Sequence, residues 1–160
     1  MVEILSVNKT TLLRKSLKKQ GKTIVLVGGC FDILHPGHVF FLEKAKKAGD
    51  KLVVFLESDQ KVRELKGINR PVHTQIDRAK VLAALRAVDY VVLLPYIKNE
   101  TEYDELVGKI KPDVVATTIK DANTSHHQRS ARLVGAKFKL VARVINDYST
   151  SSLISSITVQ

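Results

Sequence analysis

A chain of 160 residues is long enough to bury one full hydrophobic core and too short for two comfortable ones, so one domain over 1–160 is expected. Its 44% apolar and 26% charged residues exclude a disordered chain, and no apolar run is long enough for a secretory signal or a membrane span. The one cysteine, Cys30, excludes an internal disulfide framework and fits a reducing cytoplasm, and the formal charge of +10 is spread along the chain with no basic tail.

Strands alternate with helices, the pattern of a parallel sheet covered on both faces. Residues 8–20 form a first expected helix, with Leu12, Leu13 and Leu17 on one stripe and Gly21 as the stop. Only about seven residues precede it, so no fused sugar-kinase domain is expected. Thr23–Val27 is a short apolar run of the kind buried on both faces. A helix from about Gly37 to Ala48 stops at Gly49, and Lys51–Leu56 is the second strand. Ser58 caps a short helix that buries Val62 and Leu65. Thr74 and Asp77 resemble a capping box for a helix through about Arg86. Asp89–Leu94 is the third strand, closed by Pro95; Thr101 opens a helix with Tyr103, Leu106, Val107 and Ile110 in helical spacing. Asp113–Thr117 is the fourth strand. Lys137–Val141, alternating charged and apolar residues, is the fifth and suits an edge, and Ser149 caps a closing helix.

The chemistry concentrates in Gly28-Gly29-Cys30-Phe31-Asp32-Ile33-Leu34-His35-Pro36-Gly37-His38, between a strand and a helix. Gly28 and Gly29 allow a sharp turn and a close approach of backbone to ligand at the strand's carboxyl end, where open α/β sheets bind ligands. His38 falls in the first turn of the following helix, whose free N–H groups and dipole favour phosphate. Two imidazoles there can donate hydrogen bonds to phosphoryl oxygens as charge develops. A His-x-x-His pair alone is equally a partial metal site or chance. A metal needs further ligands, though, and His126-His127 is the one other close pair. Cys30 reads as a small buried residue rather than a nucleophile, and His73 as a solvated loop residue.

This segment resembles the signature of the cytidylyltransferase-like nucleotidyltransferases, and most closely their heptose 1-phosphate adenylyltransferase group. The similarity continues through Gly49–Val54, Ser58-Asp59, Val62–Gly67, Arg70–Val72, Asp77–Leu85, Val88–Val92, Lys111–Val114 and Tyr148–Ser151. The resemblance implies an α/β, Rossmann-like domain with a five-stranded parallel sheet and helices on both faces. It implies transfer of a nucleoside monophosphate from an NTP, brought with Mg²⁺, to a phosphorylated small molecule. By the same resemblance His35 and His38 contact the triphosphate, and Lys66 and Arg78 reach the phosphates. Gly28, Gly29, Cys30 and Phe31 line the nucleotide. Asp32 orients the site or meets substrate, and Ser149, Thr150 and Ser151 bind the outer phosphates. A homodimer in the cytoplasm, with neither nucleic acid nor membrane as partner, is the family expectation.

Two departures bear on specificity. Thr117-Thr118-Ile119-Lys120-Asp121-Ala122 replaces the family's glycine-containing Lys-Gly-Gly-Asp-Tyr stretch, and Glu57 stands where heptose enzymes carry asparagine. They leave open CTP with a glycerol 3-phosphate-type acceptor, or FMN adenylylation, beside ATP with a heptose phosphate. Lys120, Asp121 and Glu57 are accordingly candidate substrate contacts. A degenerate nucleotide-binding protein is the competing class. A nucleic-acid binder ranks last, because 4 Tyr, 5 Phe and no Trp offer little for base stacking.

Overall fold

In the computed structural model, which describes residues 1–119, 121–143 and 149–158, the chain opens with β1 (Glu3–Ser6). A 3-10 turn then leads into α1 (Thr10–Lys19). β2 (Ile24–Gly29), α2 (Pro36–Lys46) and β3 (Lys51–Leu56) follow. Next come α3 (Asp59–Lys66), α4 (Gln75–Ala83) and β4 (Tyr90–Leu93). The chain continues through α5 (Glu100–Ile110), β5 (Val114–Ile119), α6 (Thr124–Val134), β6 (Lys137–Arg143) and α7 (Thr150–Thr158). Among these described residues no helix is long and apolar enough to cross a membrane.

All the strand pairs are parallel, in the order β1-β4-β3-β2-β5-β6. The sheet therefore has six strands, not the expected five. The addition is β1, which pairs Glu3–Ser6 with Tyr90–Leu93 at one edge. Four residues with a glutamate at one end and a serine at the other show no recognisable period, and it is the free edge of β4 that recruits them. Helix α6 is the second element not anticipated. Its sequence has no apolar stripe, and only Ser130 and Ala131 are buried within it. Some boundaries also move. α4 ends at Ala83 rather than Arg86, and α5 is capped by Asn99, whose Oδ1 accepts from the Glu102 amide at 3.1 Å.

Strand periodicity sends alternate side chains to opposite layers. Val25, Val27, Leu52, Val54 and Leu56 pack with Leu42 and Ala45 of α2 and Ala79 and Leu82 of α4. Ile24, Leu26, Val53 and Phe55 pack on the other face with Leu17 of α1 and Tyr103, Leu106, Val107 and Ile110 of α5. The central strands are consequently continuous apolar runs. β6 pairs only with β5, and Lys137 and Lys139 stay exposed, as its alternation predicts.

The chain leaves β2 toward β3 and β4 on one side and returns to β5 and β6 on the other. β2 and β5 thus flank the point where the winding reverses, the place where open α/β sheets leave a crevice.

Candidate active site

The turn after β2 is shaped by its own side chains. Phe31 takes the left-handed conformation (φ 43°), and its ring folds back over Gly29 so that a Cβ there would lie 2.8 Å from it. At Gly28 a Cβ would meet the Tyr103 hydroxyl at 2.5 Å. The two glycines are therefore required by close approach.

His35 then supplies the extended N-cap of α2 (φ −141°, ψ 167°), with Pro36 at the first helical position. The His35 and His38 rings stack, with centroids 3.8 Å apart and planes inclined by 23°, and the Phe31 ring lies 5.2 Å from that of His38. Burial lowers the pKa of His35. Burial and the neighbouring His35 push His38 down to about 4, so it is neutral at pH 7. Nδ1 of His38 is buried without a hydrogen-bond partner among the described residues. This pair sits at the N-terminus of α2, where the helix end favours an anion.

The pair opens onto a cavity of about 780 Å³ over the carboxyl ends of the strands. Gly28, Gly29, Cys30, Phe31 and Asp32 line it, as do Glu57, Lys66, Asp121 and Ser149–Ser151. Lys66 is the exposed last residue of α3, followed by Gly67 at φ 105°. Thr150 Oγ1 donates to the Ile33 carbonyl at 3.1 Å, which docks the start of α7 on the β2–α2 turn. Ser149 Oγ accepts from the Ser152 amide at 3.0 Å and so caps α7. Asp121 accepts from Thr117 Oγ1 at 2.6 Å and from the Asn123 amide at 2.7 Å. Lys120 and Tyr148 lie outside the described residues.

One expected cavity contact has a different placement, and another is held by protein partners as well. Arg78 is 1% exposed and does not line the cavity. Its guanidinium donates to the Cys30 carbonyl, to the Glu57 carbonyl at 2.8 Å, to Asp59 Oδ1 at 2.8 Å and to the His73 carbonyl at 3.2 Å. Arg78 thus spends its donors on main-chain oxygens of the site loops and on a carboxylate, the placement of a positioning residue. Asp32 is 4% exposed; it bonds Arg70 Nε and accepts from the Val72 amide at 2.8 Å. It thereby ties the 70–73 loop to the cavity wall, which it also lines. Burial, reinforced by the charge of Glu57, raises the pKa of the Cys30 thiol, which keeps it protonated and unreactive.

Burial also pushes the Glu57 carboxyl up to about 7, and its Oε2 is buried without a hydrogen-bond partner among the described residues. The cavity further recruits Arg70, Arg143, Tyr103, His126 and His127; in the sequence Arg70 figured only in a motif match and the histidine pair only in weighing a metal site. Tyr103 looks like any other member of the apolar stripe of α5. The His126 and His127 rings are tilted by 51° at 5.6 Å, and His126 Nδ1 lies 3.8 Å from Glu100 Oε1. Their signal is weak because α6 itself has no readable pattern.

A parallel sheet open at its carboxyl edge, with a polyphosphate-sized cavity and neutral imidazoles at a helix N-terminus, defines the class of nucleotide-handling α/β domains. Within that class the chain belongs to the cytidylyltransferase-like family, whose model matches residues 26–159. It is 43% identical over 142 residues to the bifunctional protein HldE of Campylobacter fetus, covering 87% of this chain and 29% of the relative. With the protein of that name from Aliarcobacter butzleri it shares 41% identity over 145 residues, covering 91% and 29%. The chain thus spans less than a third of these relatives' length.

Among solved structures it is similar to the lipopolysaccharide core biosynthesis protein of Thermoplasma volcanium. That match has a TM-score of 0.62 and 29% identity, and covers 78% of this chain and 97% of the other. The pantoate-beta-alanine ligase of Francisella tularensis shares the fold alone, with a TM-score of 0.69 at 18% identity over 99% of this chain and 74% of the ligase.

Proposed function

We propose that this chain transfers a nucleoside monophosphate, AMP in preference to CMP, from an NTP to the phosphate of a small acceptor such as a heptose 1-phosphate. The observation that carries this reading is the stacked, neutral His35–His38 pair at the N-terminus of α2 on the floor of the cavity. A phosphate oxygen of the acceptor is ionised at neutral pH, so the attack needs no strong base. The site must align two polyanions and offset their charge. In the reaction an acceptor oxygen forms a bond to the α-phosphorus of the NTP, the bond from that phosphorus to the bridging oxygen breaks, and pyrophosphate leaves with the electron pair. His35 and His38 donate hydrogen bonds to the reacting phosphoryl oxygens. Lys66 offsets phosphate charge from the end of α3, and the α7 start with Ser149, Thr150 and Ser151 receives the outer phosphates.

Among the described residues no three His, Cys, Asp or Glu side chains converge into a metal-binding group. Mg²⁺ would enter with the NTP and supply charge neutralisation for its phosphates. The motif resemblance to the heptose 1-phosphate adenylyltransferase group supports the heptose acceptor, and the histidine pair at a helix N-terminus supports the NTP.

The test is pyrophosphate release with Mg²⁺, each of the four NTPs and a panel of heptose 1-phosphate, glycerol 3-phosphate, FMN and simple phosphonates. Acceptor-dependent release that disappears in the His35→Ala/His38→Ala double variant is expected. NTP binding with no release from any acceptor would favour a degenerate nucleotide-binding protein.

A further inference from the structure

The cavity has two halves. Thr118, Arg143 and the start of α7 form the half beside β5 and β6, next to the winding reversal where a nucleotide sits in such sheets. The other half lies beyond β2, over β3, α3 and the start of α5, and is lined by Glu57, Lys61 and Asn99. With the nucleotide in the first half, this second half faces the acceptor.

Glu57, in that half, carries a buried carboxyl oxygen, Oε2, that has no hydrogen-bond partner among the described residues. Both neighbouring cations are committed elsewhere. Lys61 Nζ bonds Glu64 Oε1 at 2.9 Å, and Arg78 binds main-chain carbonyls, including that of Glu57 itself, together with Asp59. The Glu57 main chain is held from both sides, since its amide donates to the Gly29 carbonyl at 3.1 Å and its carbonyl accepts from Arg78. A buried carboxyl oxygen without a donor is unfavourable, and Glu57 is one of the residues lining the cavity.

We propose that Glu57 is a specificity-determining residue whose buried carboxyl takes a hydrogen bond from a hydroxyl of the acceptor, so that the site selects polyhydroxylated sugar phosphates over acceptors lacking a hydroxyl there. A hydroxyl suits this position because it donates to a carboxylate and equally accepts from a carboxylic acid, and burial places the group between those two states at neutral pH. A second anion would be repelled. A site built around a polar group rejects the analogue that leaves the group unpaired. This inference rests on the transferase reading only for which half of the cavity faces the acceptor.

The experiment is a binding measurement that requires no turnover. Heptose 1-phosphate, hexose 1-phosphates and their monodeoxy analogues are titrated calorimetrically into the protein with Mg²⁺ and α,β-methylene ATP. Wild type is compared with Glu57→Ala and Glu57→Gln. The expected result is at least a tenfold rise in the sugar phosphate Kd for Glu57→Ala, with the ATP analogue's Kd within about twofold. One monodeoxy analogue should bind wild type and Glu57→Ala equally weakly. Glu57→Gln keeps an acceptor oxygen and should recover most of the affinity. Should Glu57→Ala not fold, Glu57→Leu fills the same space and carries the test.

Sugar phosphates that bind Glu57→Ala as tightly as wild type, or no binding to wild type at all, would overturn the proposal. So would equal weakening of the ATP analogue. Glu57-dependent sugar binding without pyrophosphate release would sink the transferase reading and leave this one standing. Release that is indifferent to Glu57 would do the reverse.

Discussion

The two edges of the sheet are built on opposite principles. At the amino edge an aspartate stands immediately before each of β3, β4 and β5, and each closes a main-chain amide: Asp50 that of Thr23, Asp89 that of Leu52 and Asp113 that of Ile24, all at 2.8 Å. Burial alone would raise the Asp89 carboxyl, but Lys46, the Leu52 amide and Lys51 outweigh it and hold its pKa below the usual range. Each of these three amides therefore has its acceptor. At the carboxyl edge the turns leave groups open: His38 Nδ1 and Glu57 Oε2 are buried and unpartnered among the described residues. The comparison teaches that this molecule places its saturated polar contacts at the amino edge and its unsaturated ones where a ligand can complete them.

The sharpest way to break that division is Arg78→Ala, because Arg78 is a carboxyl-edge residue with amino-edge character. Removing a buried guanidinium that serves three carbonyls and Asp59 should cost about 3–5 kcal/mol in denaturant unfolding, and Arg78→Lys should not restore it. Unchanged stability with lost turnover would mean that Arg78 meets phosphate after all.

Glu57→Gln sharpens the comparison through pH. A carboxyl moved from its ordinary 4.5 to about 7 in the fold corresponds to about 3 kcal/mol. Because the folded value is the higher one, that stability is fully present below pH 4.5 and is lost as pH rises through 7. The glutamine variant should therefore gain on wild type in Tm between pH 5 and pH 8; parallel curves would show that Glu57 is solvated.

His38→Ala should lower kcat about 100-fold, as expected for losing a donor to the reacting phosphoryl group, with little change in Tm. A loss within twofold would remove the imidazole pair from the chemistry.

The smallest effect is expected at the other edge. Asp89→Ala should destabilise by about 1–3 kcal/mol, the cost of an unpaired buried amide, and leave kcat within about twofold of wild type. A large kcat effect would mean that the edges are coupled.

Much of the carboxyl edge was legible in the residues. Gly28-Gly29 followed by His35-x-x-His38 names a tight turn, a helix start and two donors, all encoded within eleven positions. Ser58, Thr74 and Ser149 were readable as caps, and the structure gives each an amide to accept from. Asp89 and Asp113 were readable only as strand starts. Their partners lie 37 and 89 residues away, a separation at which no local pattern exists. Arg78 shows the same limit from the other side. A helix arginine looks solvated or ligand-facing until the fold brings the Cys30 and Glu57 carbonyls to it.

By itself, then, the sequence determined what depends on neighbours along the chain: alternating elements, apolar runs for the doubly covered strands, the glycine turn with its histidine pair and the alternating strand at an edge. Tertiary structure decided what depends on long-range closure. It added β1, because β4 offered an unpaired edge, and α6, because packing against β5 and β6 ordered a segment with no stripe of its own. It also turned Arg78 inward as a strut and tied Asp32 to the 70–73 loop, while leaving Glu57 on the cavity wall with an unpaired oxygen among the described residues. That sorting follows from how many donors and acceptors the fold delivers to each buried group, a quantity no window of sequence contains.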